Sequence, residues 1–306
     1  MVDFFTMRTQ NNSENKISKL LLIASMSIFG TIGLFTRYTL VPSSVLAFYR
    51  GAVGGLMLII IALITKRKHD FAVLKKNALF LFVSGAMIGF NWVFLFEAYK
   101  YTTVSVATLC YYMAPIIVMI TSPFLFHEKL GLKNGLCILA ALTGCVFISG
   151  VLSEGFSSIG NFKGVLLGLA AAILYAIIII MNKKHPGIDP FDKTSLQLIS
   201  AGAVMFAYSL IVKDFGKCTY TTFSVIIIAI LCLVHTGFAY AAYFYSIDHI
   251  PAQTIAFMSY LDPVVAIIIS VFVLKEASGI NDLIGSILIL GAAIVSEIKL
   301  PGKQSK

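Results

Sequence analysis

Residues 89–131, GFNWVFLFEAYKYTTVSVATLCYYMAPIIVMITSPFLFHEKLG, and residues 237–279, GFAYAAYFYSIDHIPAQTIAFMSYLDPVVAIIISVFVLKEASG, are two versions of one pattern set 148 positions apart. In that register Gly89-Phe90 falls on Gly237-Phe238 and Phe96 on Phe244, and no gap is needed afterwards. Tyr112 meets Tyr260, Pro115 meets Pro263, Ser122 meets Ser270, Phe124 meets Phe272, Glu128 meets Glu276 and Gly131 meets Gly279. A proline inside an apolar run and a closing Glu-x-x-Gly are the coincidences that composition explains least. The chain is therefore read as an internal duplication.

Both copies are strongly apolar, and so is the rest of the chain. Of 306 residues, 58% are hydrophobic and 12% charged, with a mean hydropathy of +0.92; soluble domains carry about 25% charged residues. A water-soluble core cannot bury that surplus. A bilayer-crossing helix needs roughly 20 mainly apolar residues, and ten segments fit: 20–37, 44–65, 77–96, 103–126, 132–150, 163–182, 194–213, 223–244, 252–274 and 281–298. Strands of a membrane barrel would alternate in polarity, whereas Ala176 to Met181 and Val225 to Val234 are apolar on every face. Lys16 and Lys19 before the first segment resemble a signal peptide, but Arg37 follows where a small-residue cleavage site would stand, so the segment is read as retained.

The expected architecture is all-α and integral to the membrane, with ten transmembrane helices in two repeats. Residues 1–17 form an N-terminal tail, 18–150 the first repeat, 163–298 the second and 299–306 a C-terminal tail. Five spans per repeat is an odd number, so the second copy enters the membrane from the opposite side. Inverted repeats of this kind place a substrate site near the midplane where the halves meet, beside interrupted helices.

The net charge of +9 is set by position rather than by a nucleic-acid surface. With both termini inside, the tails, the stretch from Lys66 to Lys76, Lys129 with Lys133, and Lys183 to Lys193 gather most of the Lys and Arg on the inner side, as cytoplasmic loops do. The connection near Asp248 and His249 should also be inside, yet has neither Lys nor Arg. Five scattered cysteines offer no disulfide framework and no paired metal-ligand spacing.

The Met113-Ala114-Pro115 to Glu128 pattern, repeated in Leu261-Asp262-Pro263 to Glu276, resembles the EamA family of the drug/metabolite transporter superfamily. The likeness extends over residues 18–298 and includes Phe48-Tyr49-Arg50 in the second span. It implies a ten-helix secondary transporter, with spans one to four and six to nine around a central cavity and spans five and ten at the periphery. It also implies a small-solute cargo, such as an amino acid or related amine, and export from a cell membrane. One departure is Ile28-Phe29-Gly30 where the family often has Trp-Gly; its counterpart is Leu174-Tyr175-Ala176, so an aromatic followed by a small residue is kept.

A charge at the bilayer centre costs about 2.5–3.5 kcal/mol on insertion scales, so each one needs a partner or a wet cavity. Asp262, mid-span and next to Pro263, is a candidate to hold a cationic group or exchange a proton, with a local hydrogen bond at the proline break as the structural alternative. His235 titrates near neutrality and stands as a proton relay with Asp262 or as a packed, neutral imidazole. Arg50 and Glu97 lie at similar depth and are read as an ion pair, or as a site for a substrate carboxylate. Pro115 and Pro263 free the carbonyls of Tyr111 and Ser259, unless they merely kink the helices. Asn91, Trp92, Tyr111, Tyr112, Tyr240, Tyr243 and Tyr260 supply aromatic walls suited to an amine or zwitterion, though such rings also serve as packing.

Glu128 and Glu276 are expected to accept hydrogen bonds from amides of the following helix. Gly51-x-x-x-Gly55, Gly85-x-x-x-Gly89 and Gly164-x-x-x-Gly168 suggest close helix contacts. His127-Glu128 opens a zinc-protease signature, but Gly131 occupies the second histidine's place; aspartyl-protease, nucleophile-elbow and phosphate-loop motifs are absent from the sequence. The chain is expected not to be an enzyme and to need no cofactor or metal, with lipid and a small molecule as partners and the oligomeric state open. The rival readings are a channel-like facilitator, weakened by the lack of a visible ring of charge, and a non-transport intramembrane protein.

Overall fold

The computed structural model describes residues 2–126, 131–149, 159–185, 187–247, 249–250, 252–276 and 279–298; Glu128 and Asp248 lie outside the described residues. Among these the chain is helical throughout, with no strand. The first repeat contributes α1 (Val2–Gly30), α2 (Ile32–Arg37), α3 (Ser43–Ile64), α4 (Phe71–Lys76), α5 (Ala78–Tyr101), α6 (Val104–Tyr111), α7 (Ala114–Phe126) and α8 (Leu132–Ile148). The second contributes α9 (Ile159–Lys183), α10 (Pro190–Ile211), α11 (Thr222–Cys232), α12 (Ala239–Ile247), α13 (Ala252–Ser259), α14 (Leu261–Ile268) and α15 (Ile280–Glu297).

Among the described residues, seven stretches are long and apolar enough to cross a membrane: Lys16–Arg37, Ser43–Ile64, Ala78–Tyr101, Val104–Leu125, Phe162–Lys183, Pro190–Ile211 and Thr222–Ile247. Leu132–Ile148, Leu261–Val273 and Ile280–Ser296 are apolar but shorter. Polar side chains set where several of these helices begin. Asp70, Thr103, Asp189 and Thr221 each accept amide hydrogen bonds at the first turn of α4, α6, α10 and α11, satisfying donors that a helix start leaves unpaired.

The halves interlock rather than abut. Helix α3 lies along α10, α5 packs on both α9 and α10, α1 rests on α12 and α14, and α8 pairs with α15. Glycine permits the close crossing of α3 and α10: a Cβ on Gly51 would stand 2.5 Å from the Gly202 amide nitrogen, and one on Gly202 would stand 2.6 Å from that of Ala52. The remaining Gly-x-x-x-Gly residues also meet neighbours, Gly55 facing Ile199, Gly85 Gln197, Gly89 Met205, Gly164 Thr102 and Gly168 Cys110. Cores form along these seams around Leu46, Leu58, Leu198 and Met205, and around Leu109, Ile116, Ala172 and Ile289.

Two π turns interrupt the second half, at Leu233–Phe238 and Ile269–Val273. A π turn fits an extra residue into the coil. In the first, Thr236 Oγ1 donates to the Leu231 carbonyl at 2.9 Å and His235 Nδ1 lies 3.3 Å from that of Ile230, each five residues back.

Candidate functional site: a cavity between two broken helices

The proline-containing stretches are broken as the missing amides require. Helix α6 stops at Tyr111 and α7 resumes at Ala114; α13 stops at Ser259 and α14 resumes at Leu261. Pro115 and Pro263 cannot donate to the carbonyls of Tyr111 and Ser259, four residues earlier. One break then serves the other. The Tyr112 hydroxyl donates to Asp262 Oδ2 at 2.8 Å and lies 3.4 Å from the Ser259 carbonyl oxygen. A side chain from the first repeat thus holds the carboxylate of the second.

Around this contact lies a cavity of ≈ 370 Å³. Of the residues singled out from sequence, Arg50, Trp92, Tyr111, Tyr112 and Pro115 line it from the first repeat, and Tyr240, Tyr243, Tyr260 and Asp262 from the second. Helices α8 and α15 contribute nothing to its wall. Tyr111 stacks on Tyr175 with ring centres 5.2 Å apart, and Phe29 leans on Tyr240 at the same separation. Phe29 and Tyr175, counterpart aromatics in the first span of each half at an offset of 146, both face the cavity.

Arg50 is 2% exposed. Its guanidinium lies over Trp92 at 4.3 Å and near Phe96 at 5.3 Å, and its Nε donates to Thr236 Oγ1 at 3.1 Å. Among the described residues its terminal nitrogens form no hydrogen bond. Rings that face a cation offset part of the cost of burying it, and the π turn presents Thr236 to it.

The expected Arg50–Glu97 pair does not form. Glu97 accepts hydrogen bonds from Ser43 at 2.6 Å and Lys100 at 2.7 Å and lines a different cavity of ≈ 480 Å³, near Ser44, Asp214 and Lys217. A similar depth does not fix direction around α5: Trp92, Leu95 and Tyr99 share the face toward Arg50, while Val93, Glu97 and Lys100 share another.

Of the two readings of His235, the geometry matches the packed imidazole and not the relay with Asp262. His235 Nε2 lies 2.7 Å from Thr31 Oγ1 and its ring packs edge-on to Phe35 at 4.8 Å, so both nitrogens already have neighbours and the residue is 2% exposed. Asn91 is equally buried and donates to the Ala171 carbonyl at 2.6 Å, tying α5 to α9. Pro263 is buried in the first turn of α14 without reaching the cavity.

Glu276 likewise departs from expectation. Among the described residues it accepts from none in the following helix: its Oε2 accepts from the Val104 amide at 2.8 Å and from Ser270 Oγ, and its Oε1 pairs with Arg37. The left-handed backbone at Lys275, φ 53°, turns the chain so that the carboxylate reaches α6 in the other repeat. Tyr99 and Thr108 were missed; they share a 3.3 Å hydroxyl contact at the cavity wall. Tyr99 follows Trp92 by two turns, a spacing that would have found it.

The model of the EamA-like transporter family matches residues 16–150 and again 162–297. The chain belongs to the EamA-like transporter family. This family is a branch of the drug/metabolite transporter superfamily, and the chain is accordingly a multi-pass membrane protein of transporter type, built from two EamA repeats. It is 25% identical over 295 residues to the uncharacterized transporter YxxF of Bacillus subtilis (strain 168), covering 96% of this chain and 93% of that one. It is 22% identical over 253 residues to the uncharacterized transporter YoaV of the same organism, covering 81% and 85%. Over 144 residues it is 28% identical to mouse solute carrier family 35 member G1, covering 44% and 39%. A solved crystal structure superposes with a TM-score of 0.64 at 20% identity, over 91% of this chain and 96% of that one, a likeness of fold.

Proposed function

We propose that this EamA protein is an alternating-access secondary transporter of a small metabolite, such as an amino acid or a related amine, acting as an exporter in the cell membrane. The three shorter apolar helices complete ten spans, the repeats are inverted, and both termini are cytoplasmic. The observation that carries the reading is the cavity at the meeting point of two broken helices, with one carboxylate and one guanidinium on its wall. Asp262, bonded to Tyr112, is suited to a cationic amine or a proton. The unengaged nitrogens of Arg50 are suited to a carboxylate, and the tyrosine rings to the body of the solute.

The test is transport by purified protein in proteoliposomes, after thermal-shift screening of amino acids, polyamines, choline-like amines and nucleosides. Saturable uptake with counterflow of labelled solute is the expected result for a carrier; a channel-like facilitator would give non-saturating flux and no counterflow. Asp262→Asn should cut transport at least tenfold and alter its pH profile. Wild-type rates with an unchanged pH profile in that variant would refute the role given to Asp262.

A further inference from the structure

We infer that Glu276 is the latch of one mouth of the carrier, holding the cavity shut on the side where α2 ends and α6 begins. The inference goes beyond the proposed cargo and does not depend on it. Three separate segments converge on this carboxylate. Arg37, the last residue of α2, pairs with Oε1, and its Nη2 also donates to the Thr102 carbonyl at 2.6 Å. The Val104 amide, the first of α6, and the Ser270 hydroxyl both donate to Oε2. The Glu276 amide itself donates to the Ser270 carbonyl at 3.0 Å, fixing the residue just beyond the π turn Ile269–Val273. The Glu276 side chain is 9% exposed and Arg37 33%, so the pair sits at the rim with the carboxylate turned inward.

The segments on either side of the break between α1 and α2 also pack tightly against α6 and α14. A Cβ on Gly33 of α2 would collide with the Val104 side chain, and one on Gly30 would stand 2.5 Å from the Asp262 carbonyl oxygen and 2.7 Å from Val265 Cβ. A passage from the cavity between α2, α6 and α14 therefore requires these surfaces to part. Parting them breaks the bonds at Glu276, because its acceptor oxygens serve one segment each from α2 and α6. A carboxylate suits a reversible closure: it is held by charge and hydrogen bonds that water can replace on opening, and an N-terminal amide of α6 is a natural partner for it.

The experiment reads access, not transport. In a background with the five native cysteines replaced by alanine, Leu95, which lines the cavity, is changed to cysteine. Its labelling by a membrane-impermeant maleimide is followed in sealed right-side-out and inverted vesicles. Glu276→Gln and Arg37→Gln should each raise the labelling rate at least tenfold, and in only one vesicle orientation. Asp282→Asn, which removes a helix-start contact at the neighbouring Gly279 amide, should leave the rate unchanged.

A second measurement covers the case in which a charge variant misfolds. The Cβ built on Gly33 lies 3.3 Å from Val104 Cβ, close to disulfide spacing. With Arg37 and Glu276 left intact, the Gly33→Cys/Val104→Cys pair should therefore oxidise and lower the labelling of Leu95→Cys from the side that Glu276 closes, and reduction should restore it. Rates within twofold of the parent in both charge variants, equal gains from both sides of the membrane, or labelling that persists through the oxidised pair would overturn the latch.

Discussion

Alanine at Gly51 and alanine at Gly135 should move the stability of this protein in opposite directions. Both glycines lie within helices, α3 and α8, so both substitutions remove the conformational cost of glycine in a helix, roughly 0.5–1 kcal/mol. Their surroundings differ. A Cβ at Gly135 has nothing within 4 Å, whereas one at Gly51 would lie 2.5 Å from Gly202 N and 2.8 Å from the Leu198 carbonyl oxygen. The closest approach falls short of ordinary contact, which begins at 3.4 Å, by about 0.9 Å, and the atoms in the way are backbone. The crossing of α3 and α10 must open by that amount, and overpacking of this kind costs about 1–3 kcal/mol. The two variants should then differ by about that overpacking cost. At roughly 2–4 °C per kcal/mol for chains of 150–250 residues, Gly51→Ala should melt roughly 2–12 °C below Gly135→Ala. Thermal unfolding followed by size-exclusion chromatography in detergent measures the gap. A Gly51→Ala melting temperature equal to or above that of Gly135→Ala would refute the glycine crossing.

Trp92, the sole tryptophan, has the Arg50 guanidinium over its ring and is a built-in reporter. Arg50→Lys and Arg50→Met should both alter its emission, whereas Arg67→Lys, near Phe191, should not; an unchanged spectrum in the Arg50 variants would contradict the stacking. At the loop Asp214–Lys217, burial opposes ionisation of Asp214, but hydrogen bonds from Lys217 and Ser44 outweigh it and hold the carboxyl below its ordinary value. A depressed folded value means the carboxylate stabilises the fold above the unfolded value, near 3.9, and that this contribution fades as pH falls through the folded one. The melting-temperature loss in Asp214→Asn should therefore be present at pH 7 and shrink below pH 4, and a pH-independent loss would count against it.

The parts of this molecule that follow from covalent structure were legible in the sequence. Pro115 and Pro263 lack a donor wherever they are, and the helices break beside both. The counterpart aromatics Phe29 and Tyr175 end up on one cavity because the repeat carries geometry along with sequence. What depended on direction around a helix was harder. A similar depth read from sequence does not pair Arg50 with Glu97, because the face of α5 that carries Trp92 and Tyr99 is not the face that carries Glu97. For His235 the chemistry alone left both a relay with Asp262 and a packed imidazole; the π turn at Leu233–Phe238 sets it beside Thr31, and a π turn leaves no clear mark in composition. Glu276 was assigned to its own hairpin because the left-handed turn at Lys275 cannot be read from a lysine.

The interlocking of the halves bears on how such a chain can arise. The partners of α3, α5 and α8 are α10, α9 and α15, all from the other repeat. A lone five-helix copy would expose the glycine seam of α3, and would leave Asn91 without the Ala171 carbonyl and Arg50 without the Thr236 hydroxyl. Before fusion, the ancestral unit would therefore have been stable only as a pair of copies. The cavity carboxylate, opposite Ala114 in the repeat, marks where the two copies have since ceased to be equivalent.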